Sequence, residues 1–154
     1  MKKLILSTIS LLILVTSCSK DASTPTTPTT PTPNPVSSSF TWTENSGSTN
    51  TADSAFWTTG TWGTGIRAYK GGMVNFFEIN WATQDNISVG TKVLDPANFA
   101  FTFLKGSTTY TTTTSQNLSI TANGSNKIDG NFNLTVAGGT ITNISGTFTG
   151  LSKK

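Results

Sequence analysis

Residues 127–136 read "KIDGNFNLTV", and this stretch decides the kind of fold the chain adopts. Ile128, Gly130, Phe132, Leu134 and Val136 fall on one side of an extended strand, with Asn131, Asn133 and Thr135 between them. A helix would scatter both sets around its axis. Only a period of two separates them, as in a strand with one face buried and the other wet. The pattern repeats in "NISGTFTG" (143–150), where Ile144, Gly146 and Phe148 alternate with polar residues. Asn123-Gly124 separates "LSITA" (118–122) from this strand, and Gly138-Gly139 separates it from "TITNISGTF". Such pairs favour the positive φ of tight hairpins, so the C-terminal third is predicted to be a three-stranded antiparallel meander.

The alternation extends backwards. Phe40 and Trp42 show it in "SFTWTE", Phe99, Phe101 and Phe103 in "NFAFTFLK", and Leu118 and Ile120 in "NLSITA". Trp42 and Trp81 are assigned to the core. "MVNFFEINWA" departs from it, because Val74 and Phe76 share one face while Phe77, Ile79 and Trp81 share the other. That is either a bulge or a strand buried on both sides. The threonine tract "TTYTTTT" (108–114) reads as an exposed or edge strand. No segment has the pattern of an amphipathic helix. The expectation is an all-β domain over residues 40–152, of about eight or nine short strands, forming a single antiparallel β-sandwich or a partly closed barrel.

The other end of the chain reads as an address. Lys2 and Lys3 precede an apolar core from Leu4 to Val15. That core is shorter than the roughly 20 residues a membrane span requires and suits the centre of a secretory signal. Val15-Thr16-Ser17-Cys18 then resembles the lipobox of bacterial lipoproteins. The resemblance implies that residues 1–17 are removed and that Cys18 is the lipid-attachment site and membrane anchor. Cys18 is the single cysteine, so no disulfide within the chain competes for it. One acyl chain binds a bilayer only marginally, whereas two or three hold firmly, at about 0.8 kcal/mol per buried methylene. Residues 18–39 form a linker that contains five of the six prolines. Proline at that density favours extended polyproline II, and the segment has too little apolar surface to fold alone.

With this leader, the stretches "ADSAFW", "IRAYKGG", "SVGTKVL" and "ISGTFTGL" resemble small uncharacterised outer-membrane lipoproteins of the Bacteroidetes with one β-domain. The resemblance implies a fold and an outer-membrane location but no reaction. In such proteins an acidic run after the cysteine directs export to the surface. Ser19-Lys20-Asp21 holds one acid, so cell surface and periplasmic face both stay open. Asp53-Ser54-Ala55 resembles the O-glycosylation acceptor of exported proteins from the same group, which would mark Ser54, and it also reads as an ordinary turn.

Composition removes several kinds of chemistry. The chain has no histidine, and with Cys18 lipidated it has no thiol nucleophile and no Cys or His cluster for a metal. No catalytic residue, cofactor or metal ligand is assigned, and the expectation is that the protein is not an enzyme. Glu44 and Glu78 are the carboxylates to consider for a glycosidase pair, which would need to face one another. Both also read as ordinary strand-surface acids. When Lys2 and Lys3 leave with the signal, the ten basic residues fall to eight against seven acids, a balance of +1. The basic residues are scattered, so nucleic acid is not an expected partner.

One segment suggests binding. In "DSAFWTTGTWGTG" (53–65), Phe56, Trp57 and Trp62 sit among threonine and glycine. Exposed indoles offer flat apolar faces to sugar rings, and the same tryptophans could equally cap the core. The expected role is a non-catalytic cell-envelope lipoprotein that contacts a glycan or another envelope protein. The alternative is an accessory subunit docking to an outer-membrane complex through a β-edge.

Overall fold

The computed structural model describes residues 37–60, 63–81, 87–98 and 100–154. Cys18, the signal, most of the linker, Trp62 and Phe99 lie outside the described residues. The strands are β1 (Ser39–Glu44), β2 (Asn50–Thr51), β3 (Ser54–Gly60), β4 (Gly63–Lys70), β5 (Asn75–Trp81) and β6 (Gly90–Leu94). After a single 3-10 turn at Pro96–Asn98 come β7 (Phe101–Lys105), β8 (Thr108–Thr111), β9 (Gln116–Gly124), β10 (Lys127–Thr135) and β11 (Asn143–Ser152). They form two antiparallel sheets that do not close into a barrel, in the orders β2-β1-β11-β10-β9-β6 and β3-β4-β5-β7-β8. The fold is a β-sandwich, and β9-β10-β11 is the meander expected from the alternation.

The face that decided the fold is buried as the pattern requires. Ile128, Phe132, Leu134 and Val136 are core residues, as are Ile144 and Phe148 opposite them. The glycines in these strands have a packing role. Gly130 pairs across from Phe148, and Gly146 from Phe132. A Cβ at Gly130 would overlap the Phe148 ring and the Ser119 carbonyl oxygen. One at Gly146 would overlap the Phe132 ring and the Thr41 carbonyl oxygen. The far edge of each ring therefore fills the space left by the glycine of the neighbouring strand. From there the aromatics cross the sandwich: Phe40 stacks on Phe132 at 5.6 Å and meets Phe77 of the other sheet at 5.1 Å. Phe77 stacks on Phe103 at 4.2 Å, and Trp42 meets Phe77 edge-on at 4.8 Å.

Two turns differ from the sequence expectation. The β9–β10 hairpin turns at Ser125-Asn126, with φ 50° and 60°, and Gly124 is still in the ladder opposite Lys127. Two left-handed residues in succession are the type I′ arrangement, which Asn-Gly favours and Ser-Asn here adopts. The β10–β11 connection is not a tight Gly138-Gly139 turn but spans residues 136–142, because Ala137 leaves to bridge Thr111 of β8. Gly138 (φ 126°) is needed there, since a Cβ would overlap the Thr109 carbonyl oxygen. Phe76-Phe77 contains no bulge: β5 keeps unbroken register with β4 and β7, Phe77 points into the core and Phe76 is half-buried outside.

Ala137 pins one end of the β10/β11 pair to β8. The other end is pinned to β3, where Lys153 bridges Trp57 and the Lys154 N–H donates to the Trp57 carbonyl at 2.9 Å. β8 and β3 are opposite edges of the five-stranded sheet, so the strands of the two sheets cross instead of running side by side. Outside, Thr51, Thr41, Thr147, Asn131, Ser119 and Thr91 form one cross-strand row over all six strands of the larger sheet. In that row the Thr41 and Thr147 hydroxyls are hydrogen-bonded at 3.0 Å.

Gly130→Ala and Gly146→Ala are each expected to destabilise the domain by about 2–3 kcal/mol, because ring and backbone must both shift. Gly124→Ala, which meets nothing within 4 Å, serves as the near-neutral control in the same urea titration. The bulge at Gly150 frees an N–H that donates to Asp129 Oδ1 at 2.6 Å. Asp129→Ala should lower the unfolding free energy by about 1.5–3 kcal/mol, the range for a hydrogen bond to a charged group, read in the same titration.

Candidate functional site

The β4–β5 hairpin turns through Gly71–Val74, with Gly71 and Gly72 at φ 65° and 67°. The Gly71 N–H donates to Asp53 Oδ2 at 2.6 Å, which ties the turn to the start of β3. This turn sets the register. Tyr69 faces Phe76, Arg67 faces Glu78, and Gly65 faces Asn80. The alternate pairs Ala68·Phe77, Ile66·Ile79 and Thr64·Trp81 point into the sandwich and are buried. The first three pairs are consequently held on the outer face, one above another, with about 7 Å between rows.

Each pair contributes different chemistry. Tyr69 and Phe76 pack at 5.1 Å, and Phe56 of β3 stacks on Tyr69 at 6.2 Å, making an apolar ridge. Leu104 of β7 extends it opposite Phe76. In the second row Arg67 donates through Nη2 (2.8 Å) and Nε (3.3 Å) to the same oxygen, Glu78 Oε1. That ion pair is open to solvent, with side-chain exposures of 44% and 30%. Its contribution to stability is accordingly small. In the third row Gly65 has no side chain, and the Asn80 amide occupies the space a Cβ would need. Beside this row lies a cleft of about 630 Å3, lined by Thr58, Thr59, Arg67, Glu78, Asn80 and Asn98 together with glycines 60, 63 and 65. That volume is within the usual range for small-ligand sites, roughly 300–1,000 Å3.

The residues singled out from the sequence are distributed differently. Trp57 is only 3% exposed, and its Nε1 donates to the Asn126 carbonyl at 2.9 Å. The Lys153 ammonium lies 5.1 Å from its ring centroid. The β9–β10 turn takes its indole N–H and Lys153, just past β11, lies over its ring, so Trp57 is a corner of the core and not a stacking surface. Phe56 is half-buried in the outer ridge, with the Lys154 ammonium 4.5 Å above its ring. Ser54 is exposed at the first position of β3.

Glu44 and Glu78 are not brought together. Glu44 continues the inward row of Phe40 and Trp42, whereas Glu78 points away from the core. Glu44 does not end its strand in open solvent: it accepts from Trp42 Nε1 at 3.0 Å and pairs with Lys105 of the opposite sheet. Among the described residues, no three His, Cys, Asp or Glu side chains gather into a metal-sized cluster.

Arg67, Asn80 and Tyr69 were not marked by sequence reasoning, Phe76 was read only as a strand-face residue, and Glu78 was considered only as a glycosidase carboxylate. The available signal was the hairpin itself. Closing "IRAYKGGMVNFFEIN" on its Gly-Gly turn sets every second residue of β4 opposite one of β5. No family model matches the chain, and neither the curated proteins nor the solved structures provide a match.

Proposed function

We propose that the chain is a non-catalytic cell-envelope lipoprotein, held to the outer membrane through Cys18, whose β-domain binds a glycan on the outer face of β4 and β5. The observation that carries the glycan reading is the trio of cross-strand pairs. An open cleft holds an ion pair and an amide, and an apolar ridge stands one row away from that ion pair on the same face. Sugars have the complementary character, with C–H faces that pack on apolar surface and hydroxyls that both donate and accept. The anchor reading rests on the lipobox resemblance and on Cys18 being the single cysteine.

A second reading, docking to an envelope protein through a β-edge, is favoured by β6. Val93 on it and Val89 just before it are 58% and 61% exposed. Against it, Lys92 on the same strand points inward and is buried, a device by which edge strands resist unwanted pairing.

Two measurements test the proposal. In a lipidating host, radiolabelled palmitate should enter the wild-type chain and be lost in Cys18→Ser; equal labelling of both would remove the anchor assignment. In gels containing soluble polysaccharides, at least one polymer should retard the protein, and Arg67→Ala or Asn80→Ala should weaken that retardation by about ten-fold. If no polymer retards it and a co-purifying protein is lost in Val93→Lys, the edge reading replaces the glycan one.

A further inference from the structure

Resting on the glycan reading above, we infer that the cleft takes an uncharged saccharide, and that Arg67 and Glu78 act together to read two adjacent hydroxyls on it. The argument begins with how the ion pair is made. Both Arg67 donors converge on one carboxylate oxygen, Glu78 Oε1. Arg67 Nη1 and Glu78 Oε2 keep no partner among the described residues, and they belong to side chains directly opposite one another on neighbouring strands. The cleft thus presents a free guanidinium donor beside a free carboxylate acceptor.

Two neighbouring hydroxyls match that arrangement, since one oxygen accepts from the guanidinium while the other hydroxyl donates to the carboxylate. Neither contact requires the ion pair to open. The remaining lining side chains, Thr58, Thr59, Asn80 and Asn98, are neutral. Asn80 adds an amide that no hydrogen bond within the described residues occupies, one row further along.

The same pairing disfavours charged ligands. A carboxylate or sulfate entering the cleft to reach Arg67 would come within a few ångströms of Glu78, and a cation would meet Arg67 in the same way. Like charges at that separation repel, so either ligand loses on one partner what it gains on the other. Lys154, the neighbouring cation, lies over the Phe56 ring and does not line the cleft. With the Tyr69·Phe76 ridge one row away on the opposite side from Asn80, the three rows span about 14 Å, the length of two to three sugar rings. The saccharide chain would therefore lie along the strands, with its C–H face on the ridge and its diol on the ion pair.

The test is a calorimetric titration of the full lipidated chain in detergent micelles. The probes are neutral hexose oligomers, their C6-oxidised uronate counterparts, and neutral oligomers lacking one hydroxyl of a vicinal pair. A neutral oligomer should bind, with affinity changing less than about two-fold between about 50 and 500 mM NaCl. Its uronate counterpart and its deoxy form should each bind about ten-fold more weakly or worse, because a buried polar group is left unpaired or opposed. Arg67→Gln and Glu78→Gln should each weaken neutral binding about ten-fold while leaving the urea midpoint in place, since an exposed ion pair contributes little to folding.

Tighter, salt-sensitive binding of the uronate oligomers, lost in Arg67→Gln, would overturn the uncharged class and leave a glycan site standing. Neutral binding unchanged in both glutamine variants would overturn the role of the ion pair alone. No binding by any oligomer, charged or neutral, would bring down the glycan reading with it.

Discussion

The structure depends on a fit between missing side chains and large ones. In the larger sheet, Gly130 makes room for the Phe148 ring and Gly146 for the Phe132 ring, each across a strand pair. Phe132 can then lie low enough for Phe40 to stack on it, and Phe40 in turn reaches Phe77 of the opposite sheet. Pairs of this kind add about 0.5–1.5 kcal/mol each beyond the area they bury. Raising one ring by a methyl group would separate the sheets at their centre. The spacing between the layers is therefore set inside the meander.

That constraint also shapes the candidate site. Phe77, Ile79 and Trp81 commit one face of β5 to the core, and Ile66 and Ala68 do the same for β4. The outer face of this hairpin takes no part in the core packing, so its residues can be chosen for contact with something else. Crossing of the sheets adds rigidity. With β10/β11 pinned to β3 at one end and to β8 at the other, the five-stranded sheet is braced at both edges while its outer face stays open.

The buried half of this organisation was legible in the sequence because a period of two is unambiguous when one face is apolar. Phe40, Trp42, Trp81, Phe101, Phe103 and the meander face all lie where alternation put them. What alternation does not encode is how strands are joined across space. The turn at Ser125-Asn126 replaced the expected Asn123-Gly124 because two further residues pair before the chain reverses. The loop at 136–142 follows from the bridge of Ala137 to Thr111 of β8, a partner distant in sequence. The site was missed for a related reason. Sequence reading favoured the aromatic density of residues 53–65, but the corner at β11 claims Trp57. Arg67 and Glu78 are lone charges eleven residues apart, and they become a pair only once the hairpin register is known.

The outer face of the six-stranded sheet has a consequence of its own. Its central row, from Thr51 through Thr41, Thr147, Asn131 and Ser119 to Thr91, consists of short, uncharged side chains. Threonine and serine have one heavy-atom torsion to fix, and two of these hydroxyls already hold each other. Covering such a surface freezes far less side-chain motion than covering one of lysines and glutamates, where each residue loses about 1.5–2 kcal/mol of rotamer freedom. Anything that covers this face does so at a small entropic cost, with the hairpin cleft left facing outward from the opposite sheet.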